Sequence, residues 1–109
     1  MKTIFDKVFK LAKNSRDSRN LILNSIIKTP CLRSRLKLDE ERELYFKAEN
    51  FQYTGSFKLR GALSKIKKVE KNIKLITASS GNHGIACSHA AKVTGHKLTV
   101  VLPEKVSKS

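Results

Sequence analysis

Lys58 stands in the segment Glu49-Asn50-Phe51-Gln52-Tyr53-Thr54-Gly55-Ser56-Phe57-Lys58-Leu59-Arg60-Gly61-Ala62, after a short apolar run and inside the opening turn of a helical pattern. A helix start carries partial positive charge, which disfavours a nearby ammonium, and the Arg60 cation and the Phe57 ring act in the same direction. An amine so placed is a candidate nucleophile, suited to forming an imine with an aldehyde cofactor. Most lysines are solvated surface groups, and position alone is equally consistent with a lysine that merely opens a helix.

A second segment, Ser79-Ser80-Gly81-Asn82-His83-Gly84, falls between an apolar run and a stretch of small residues. A loop at the carboxyl end of a strand and the amino end of a helix is where open α/β sheets gather ligands. Free backbone N–H groups there meet anions, and a substrate carboxylate fits such a place. The simpler role is a glycine-permitted turn with Ser79 or Asn82 as a helix cap. His83 and Cys87 lie four apart on the following helix, but two ligands without a third do not make a metal site, and no metal is expected.

Taken together, the two segments resemble the cofactor-lysine signature and the substrate loop of serine/threonine dehydratases, in the tryptophan-synthase-β-like (fold type II) class of pyridoxal-phosphate-dependent enzymes. The matching positions are Glu49, Thr54, Ser56, Phe57, Lys58, Arg60 and Gly61, followed by residues 79–84. Lys28-Thr29-Pro30 is a weaker echo of the family's entry to the fold, with Cys31 where leucine is usual, and Tyr53 stands where proline is frequent. The resemblance extends from about residue 28 to residue 103.

The resemblance implies pyridoxal 5'-phosphate as cofactor, with Lys58 joined to it and later removing the Cα proton of the substrate. It implies Phe57 beside the cofactor ring, Asn82 at its phenolic oxygen, and Ser79, Ser80, Gly81, Asn82 and His83 around the substrate carboxylate. Ser80 would lie on the face opposite Lys58, where racemase members carry a second acid/base. The implied activity is dehydration of threonine or serine to a 2-oxo acid and ammonia. Serine racemisation is the alternative within the family, and a non-catalytic truncated product or interaction module is the alternative outside it. A homo-oligomer is implied for the full-length protein. The family's glycine-rich phosphate cradle follows the third strand, so this chain is expected to be an N-terminal portion, inactive alone.

The elements that must position these residues are legible from periodicity. Residues 1–13 place Ile4, Phe5, Val8, Leu11 and Ala12 at helical spacing, which predicts a packing helix. The polar residues 14–20 read as a linker and 21–27 as a second helix, so that 1–27 form an N-terminal helical segment and 28–109 the first part of a catalytic domain. Residues 44–48, 73–78 and 98–102 read as strands, with helices over 56–71 and from Ile85 onward between them. The order β-α-β-α-β predicts the beginning of a parallel open sheet in an α/β fold, incomplete within this chain. Leu98, Val100, Val101 and Leu102 call for burial worth roughly 1.5–3 kcal/mol apiece, which a lone fragment of this length supplies poorly, so marginal stability is expected.

Composition narrows the classes. Among 109 residues, 39% are hydrophobic and 29% charged, and no apolar run reaches the length of a membrane span. The net charge of +14 raises nucleic acid as a partner. The lysines are scattered, however, and no aromatic residues interleave with Lys65, Lys67, Lys68, Lys71 and Lys74 as stacking platforms would require. Those lysines read as a solvated helix face, and neither nucleic acid nor a membrane is expected as a partner. Cys31 and Cys87 are too far apart for a Cys-x-x-Cys site, which fits a reducing cytoplasmic compartment.

Overall fold

The computed structural model describes residues 3–36, 39 and 41–105. Helix α1 (Ile4–Ile22) starts at a capping box: the Asp6 amide donates to Thr3 Oγ1 (3.3 Å), and the Thr3 amide donates to Asp6 Oδ2 (3.0 Å). Met1 and Lys2, the front of the expected helix 1–13, lie outside the described residues. The expected linker 14–20 is helical instead. It contains neither glycine nor proline, so its polarity marks an exposed helix surface and not a break. The second helix expected over 21–27 is the end of α1 followed by a single 3-10 turn at Leu23–Ser25.

Strands β1 (Cys31–Arg33) and β2 (Tyr45–Lys47) form an antiparallel ribbon with Leu32 opposite Phe46. The run expected at 44–48 is therefore a strand, yet its neighbour is β1. The connection between them lacks a crossover helix, and strands so linked pair antiparallel. Helix α2 (Lys58–Ile66) begins at the lysine and stops five residues before the expected end at 71. Strands β3 (Leu75–Ala78) and β4 (Leu98–Val101) pair parallel, Leu75 with Leu98 through Ala78 with Val101, across helix α3 (Asn82–Thr94). This β3-α3-β4 unit is the part of the expected parallel sheet that forms among the described residues.

The core lies where α2 crosses α3. Leu59 and Leu63 are fully buried, against Ala86 and Ala90 on α3, with Ile22 and Ile66 at the sides and Leu75 and Leu98 beneath. Alanines on the α3 face let that helix sit close to α2, and each buried leucine contributes roughly 1.5–3 kcal/mol. Elsewhere apolar surface is uncovered. Ile4, Phe5, Val8 and Leu11 on α1, expected to pack, are exposed, and only Ile22 of that helix reaches the core. On the strands, Ile76 is 75% exposed.

Two latches join the layers. Lys67, expected on a solvated face, caps the far end of α1: its Nζ donates to the Leu21 carbonyl (3.1 Å) and to Ser25 Oγ (2.8 Å). Buried His96 lies within hydrogen-bond distance of Thr94 Oγ1 (2.8 Å) through Nδ1 and of the Val69 carbonyl (3.1 Å) through Nε2, tying the end of α3 to the segment after α2.

Candidate active site

The lysine turn is held from behind. Glu49 follows β2, and Arg60 grips it in two parallel contacts, Nε to Oε2 and Nη2 to Oε1, both 2.8 Å. Thr29 Oγ1 donates to Glu49 Oε1 at 2.6 Å, and Lys47 Nζ stands 3.8 Å from the same oxygen. The Arg60 hydrogen bonds, assisted by that from Thr29, hold the Glu49 carboxyl down at about 2. Gln52, buried, repeats the arrangement for the backbone: the Ile27 amide donates to its Oε1 (2.8 Å) and its Nε2 donates to the Ile27 carbonyl (3.0 Å). Gly55, at φ +70°, then reverses the chain so that Ser56-Phe57-Lys58 enters α2. Phe57 is the N-cap and supplies no side-chain hydrogen bond, so the first amides of α2 have no side-chain partner.

Lys58 is the first residue of α2, exposed, with Nζ 5.2 Å from the centroid of the Phe57 ring. Both line a cavity of about 520 Å³ that Lys65, Thr77, His83 and Cys87 also border. Arg60, two residues on from Lys58, borders different cavities behind the helix. Tyr53, the departure from proline, stacks on His89 of α3, with ring centroids 5.7 Å apart and planes 13° from parallel. That contact braces the lysine turn against the helix that carries the second motif.

The turn 79–84 divides between two cavities. His83 faces the lysine's cavity, whereas Ser79, Ser80, Gly81 and Gly84 border another of about 430 Å³. Asn82, between them in sequence, is the exposed first residue of α3. Neither Ser79 nor Asn82 caps α3: the N-cap is Gly81, and Ser79 Oγ accepts instead from the Gly81 amide at 3.2 Å. Gly84 is required by close approach, since a Cβ there would lie 2.7 Å from the Ser79 carbonyl oxygen. The structure thus brings Lys58, Phe57 and His83 to one cavity and sets Ser79, Ser80 and Gly81 on the other side of the turn.

Sequence reasoning does not find Thr77, Lys65 and Cys87 at the cavity. Cys87 Sγ is 3.6 Å from His83 Nε2, and burial pushes its thiol up, which suits a neutral S–H beside the imidazole. No cluster of three or more metal-ligating side chains occurs among the described residues. No described helix is long and apolar enough to cross a membrane.

Comparison with known proteins agrees with this arrangement. The family described as pyridoxal-phosphate dependent enzyme matches residues 22–109. The L-threo-3-hydroxyaspartate ammonia-lyase of Saccharomyces cerevisiae is 44% identical over 92 residues, covering 81% of this chain and 28% of that protein. Among solved structures, the serine racemase of Dictyostelium discoideum superposes with a TM-score of 0.79 at 42% identity, covering 87% of this chain and 33% of the other. A bacterial-type relative, the T.th. threonine deaminase, gives a TM-score of 0.72 at 43% identity, covering 84% and 33%. This chain belongs to the pyridoxal-phosphate dependent enzyme family, and it spans about a third or less of the length of these relatives.

Pyridoxal phosphate is the cofactor that goes with this membership, and the residues present fit its ring. The cavity at Lys58 has the size of a small-molecule site, an exposed aromatic ring stands beside the amine, and an imidazole and a hydroxyl line the walls. Two buried hydroxyls in the same turn, Thr54 Oγ1 and Ser56 Oγ, have no hydrogen-bond partner.

Proposed function

We propose that this chain supplies the lysine and the carboxylate-binding turn of a threonine or serine ammonia-lyase, an enzyme that converts a hydroxy amino acid to a 2-oxo acid and ammonia. The observation that carries the reading is the Lys58 amine beside Phe57, in a cavity it shares with His83 of the second motif. When bound, pyridoxal phosphate supplies an electron sink for charge at the substrate Cα. Lys58 holds the cofactor and moves the Cα proton, with Phe57 against the ring and Asn82 at the phenolic oxygen. The uncapped amides at the start of α3, with Ser79, Ser80, Gly81 and His83, receive the substrate carboxylate. Loss of the β-hydroxyl then leaves an enamine that hydrolyses to the 2-oxo acid and ammonia.

The position of Ser80 supports a second reading, serine racemisation. Ser80 borders the cavity across the turn from Lys58, which suits delivery of a proton to the opposite face of Cα. Both lyases and racemases are among the similar proteins.

Reductive labelling tests the lysine. After incubation with pyridoxal phosphate and borohydride, the pyridoxyl group is expected on Lys58 in preference to the other lysines, and Lys58→Ala is expected to abolish the preferred site. Labelling spread evenly over the lysines would refute the assignment. In a polypeptide of the relatives' full length that carries this sequence, threonine is expected to give 2-oxobutanoate.

A further inference from the structure

Behind α2, away from Lys58, the structure gathers positive charge with little to balance it. Arg19, Lys28, Lys47 and Arg60 line a cavity of about 240 Å³ between α1 and α2, floored by Leu23 and Ile26. Arg19 and Arg60 also line an adjoining cavity of about 440 Å³, where the hydroxyl-bearing residues are Ser15, Ser18 and Ser64. One carboxylate, Glu49, serves this group, and it is already committed to Arg60 and Thr29. Among the described residues neither Arg19 nor Lys28 has an acidic partner within ion-pair distance. Asp17, two residues from Arg19, borders neither cavity.

Two guanidinium groups lining the same pair of cavities repel unless an anion lies between them. Donor capacity remains for one. Arg60 directs Nε and Nη2 at Glu49, which leaves Nη1 free, and Lys47 Nζ makes one backbone hydrogen bond, to the Thr29 carbonyl. Four cations against one carboxylate favour a doubly charged oxyanion over a singly charged one. The arginine forks and the serine hydroxyls match the several oxygens of a phosphate.

We propose that the trough between α1 and α2 is an oxyanion site that takes a small phosphate-bearing ligand, with Arg19 and Lys28 as its free cations and Arg60 and Lys47 as its inner wall. The site does not depend on the cofactor reading, because none of these four residues borders the Lys58 cavity. Its ligand reaches the lysine turn through Arg60, whose other donors hold Glu49. Binding there therefore presses on the segment that aims Lys58.

The test is a titration of the protein with inorganic phosphate and with pyrophosphate at constant ionic strength, followed by amide chemical shifts. Saturable shifts are expected at Ser18, Arg19, Gly61 and Ser64, tighter for pyrophosphate. The double substitution Arg19→Gln with Lys28→Gln is expected to weaken binding about tenfold or more. Lys71→Gln with Lys74→Gln, which removes the same charge elsewhere, is expected to leave it within about twofold. Arg19→Lys, which keeps the charge without the fork, is expected to fall between and guards against a folding artefact. Equal weakening by both double substitutions, shifts spread over all lysine-bearing segments, or binding to phosphatidic acid vesicles without binding to inorganic phosphate would overturn the proposal.

Discussion

Arg60 and Glu49 meet through two parallel hydrogen bonds of 2.8 Å, and Thr29 donates to the same carboxylate, so residues from three separate segments converge two positions from Lys58. The side chains are 30% and 15% exposed, which makes this a partly desolvated pair and not a surface contact. Its role in the fold is to fix the angle at which the chain enters α2.

That pair predicts an acid-labile step. The Glu49 carboxyl lies at about 2 in the fold against an ordinary 4.5, so its contribution is complete above pH 4.5 and lost as pH falls toward 2. Allowing for screening by water, the contribution is on the order of 1–2 kcal/mol. Glu49→Gln is expected to lower stability at neutral pH and to flatten the loss between pH 4.5 and 2 in chemical denaturation. An unchanged acid limb in the variant would contradict the assignment.

Gly84→Ala is expected to disturb the substrate turn directly. The added methyl would stand 2.7 Å from the Ser79 carbonyl oxygen, a backbone atom that cannot rotate away. Overpacking of this kind costs about 1–3 kcal/mol. Denaturation midpoints report the cost, and amide shifts confined to residues 79–84 would show where the chain yields.

Lys67→Met is expected to loosen the junction of α1 and α2. It removes the two hydrogen bonds that Nζ donates to Leu21 and Ser25 at the end of α1, worth together about 1–2 kcal/mol. Lys68→Met, next to it in the chain, is expected to change stability by less than about 0.5 kcal/mol. Faster hydrogen exchange at the last turn of α1 in the first variant alone is the distinguishing result.

Ser80→Ala separates the two catalytic readings. In a full-length protein carrying this sequence, a racemase that uses Ser80 loses formation of D-serine while 2-oxo acid formation persists. A dehydratase that does not use it keeps its turnover within a few-fold, read by chiral chromatography beside a 2-oxo acid assay.

The motifs are legible because their chemistry is local. A lysine at a helix start and a glycine-bearing turn before a small-residue helix each occupy consecutive positions, and α2, β3, α3 and β4 appear within a few residues of where periodicity predicts them. The convergence of Thr29, Glu49 and Arg60 is not legible, because spacing along a chain says nothing of which segments meet. The same limit hides Lys67 as a cap for α1 and Cys87 beside His83. The linker expected at 14–20 shows the opposite fault: polar composition suggests a break where a good cap at Thr3 and the absence of glycine and proline sustain a helix. The partner of β2 escapes the sequence because pairing direction depends on the connection to β1.

The parallel pairing of Leu75–Ala78 with Leu98–Val101 leaves each of these segments with one flank whose amides and carbonyls meet no neighbouring chain among the described residues. A ladder only two rails wide is a template, open to any extended polypeptide that aligns with either side. With Ile76 and Val101 bare on its surfaces, such growth would be driven by solvent release as well as by backbone bonding. Self-association through these flanks is thus the route by which this polypeptide, held at high concentration, would leave solution.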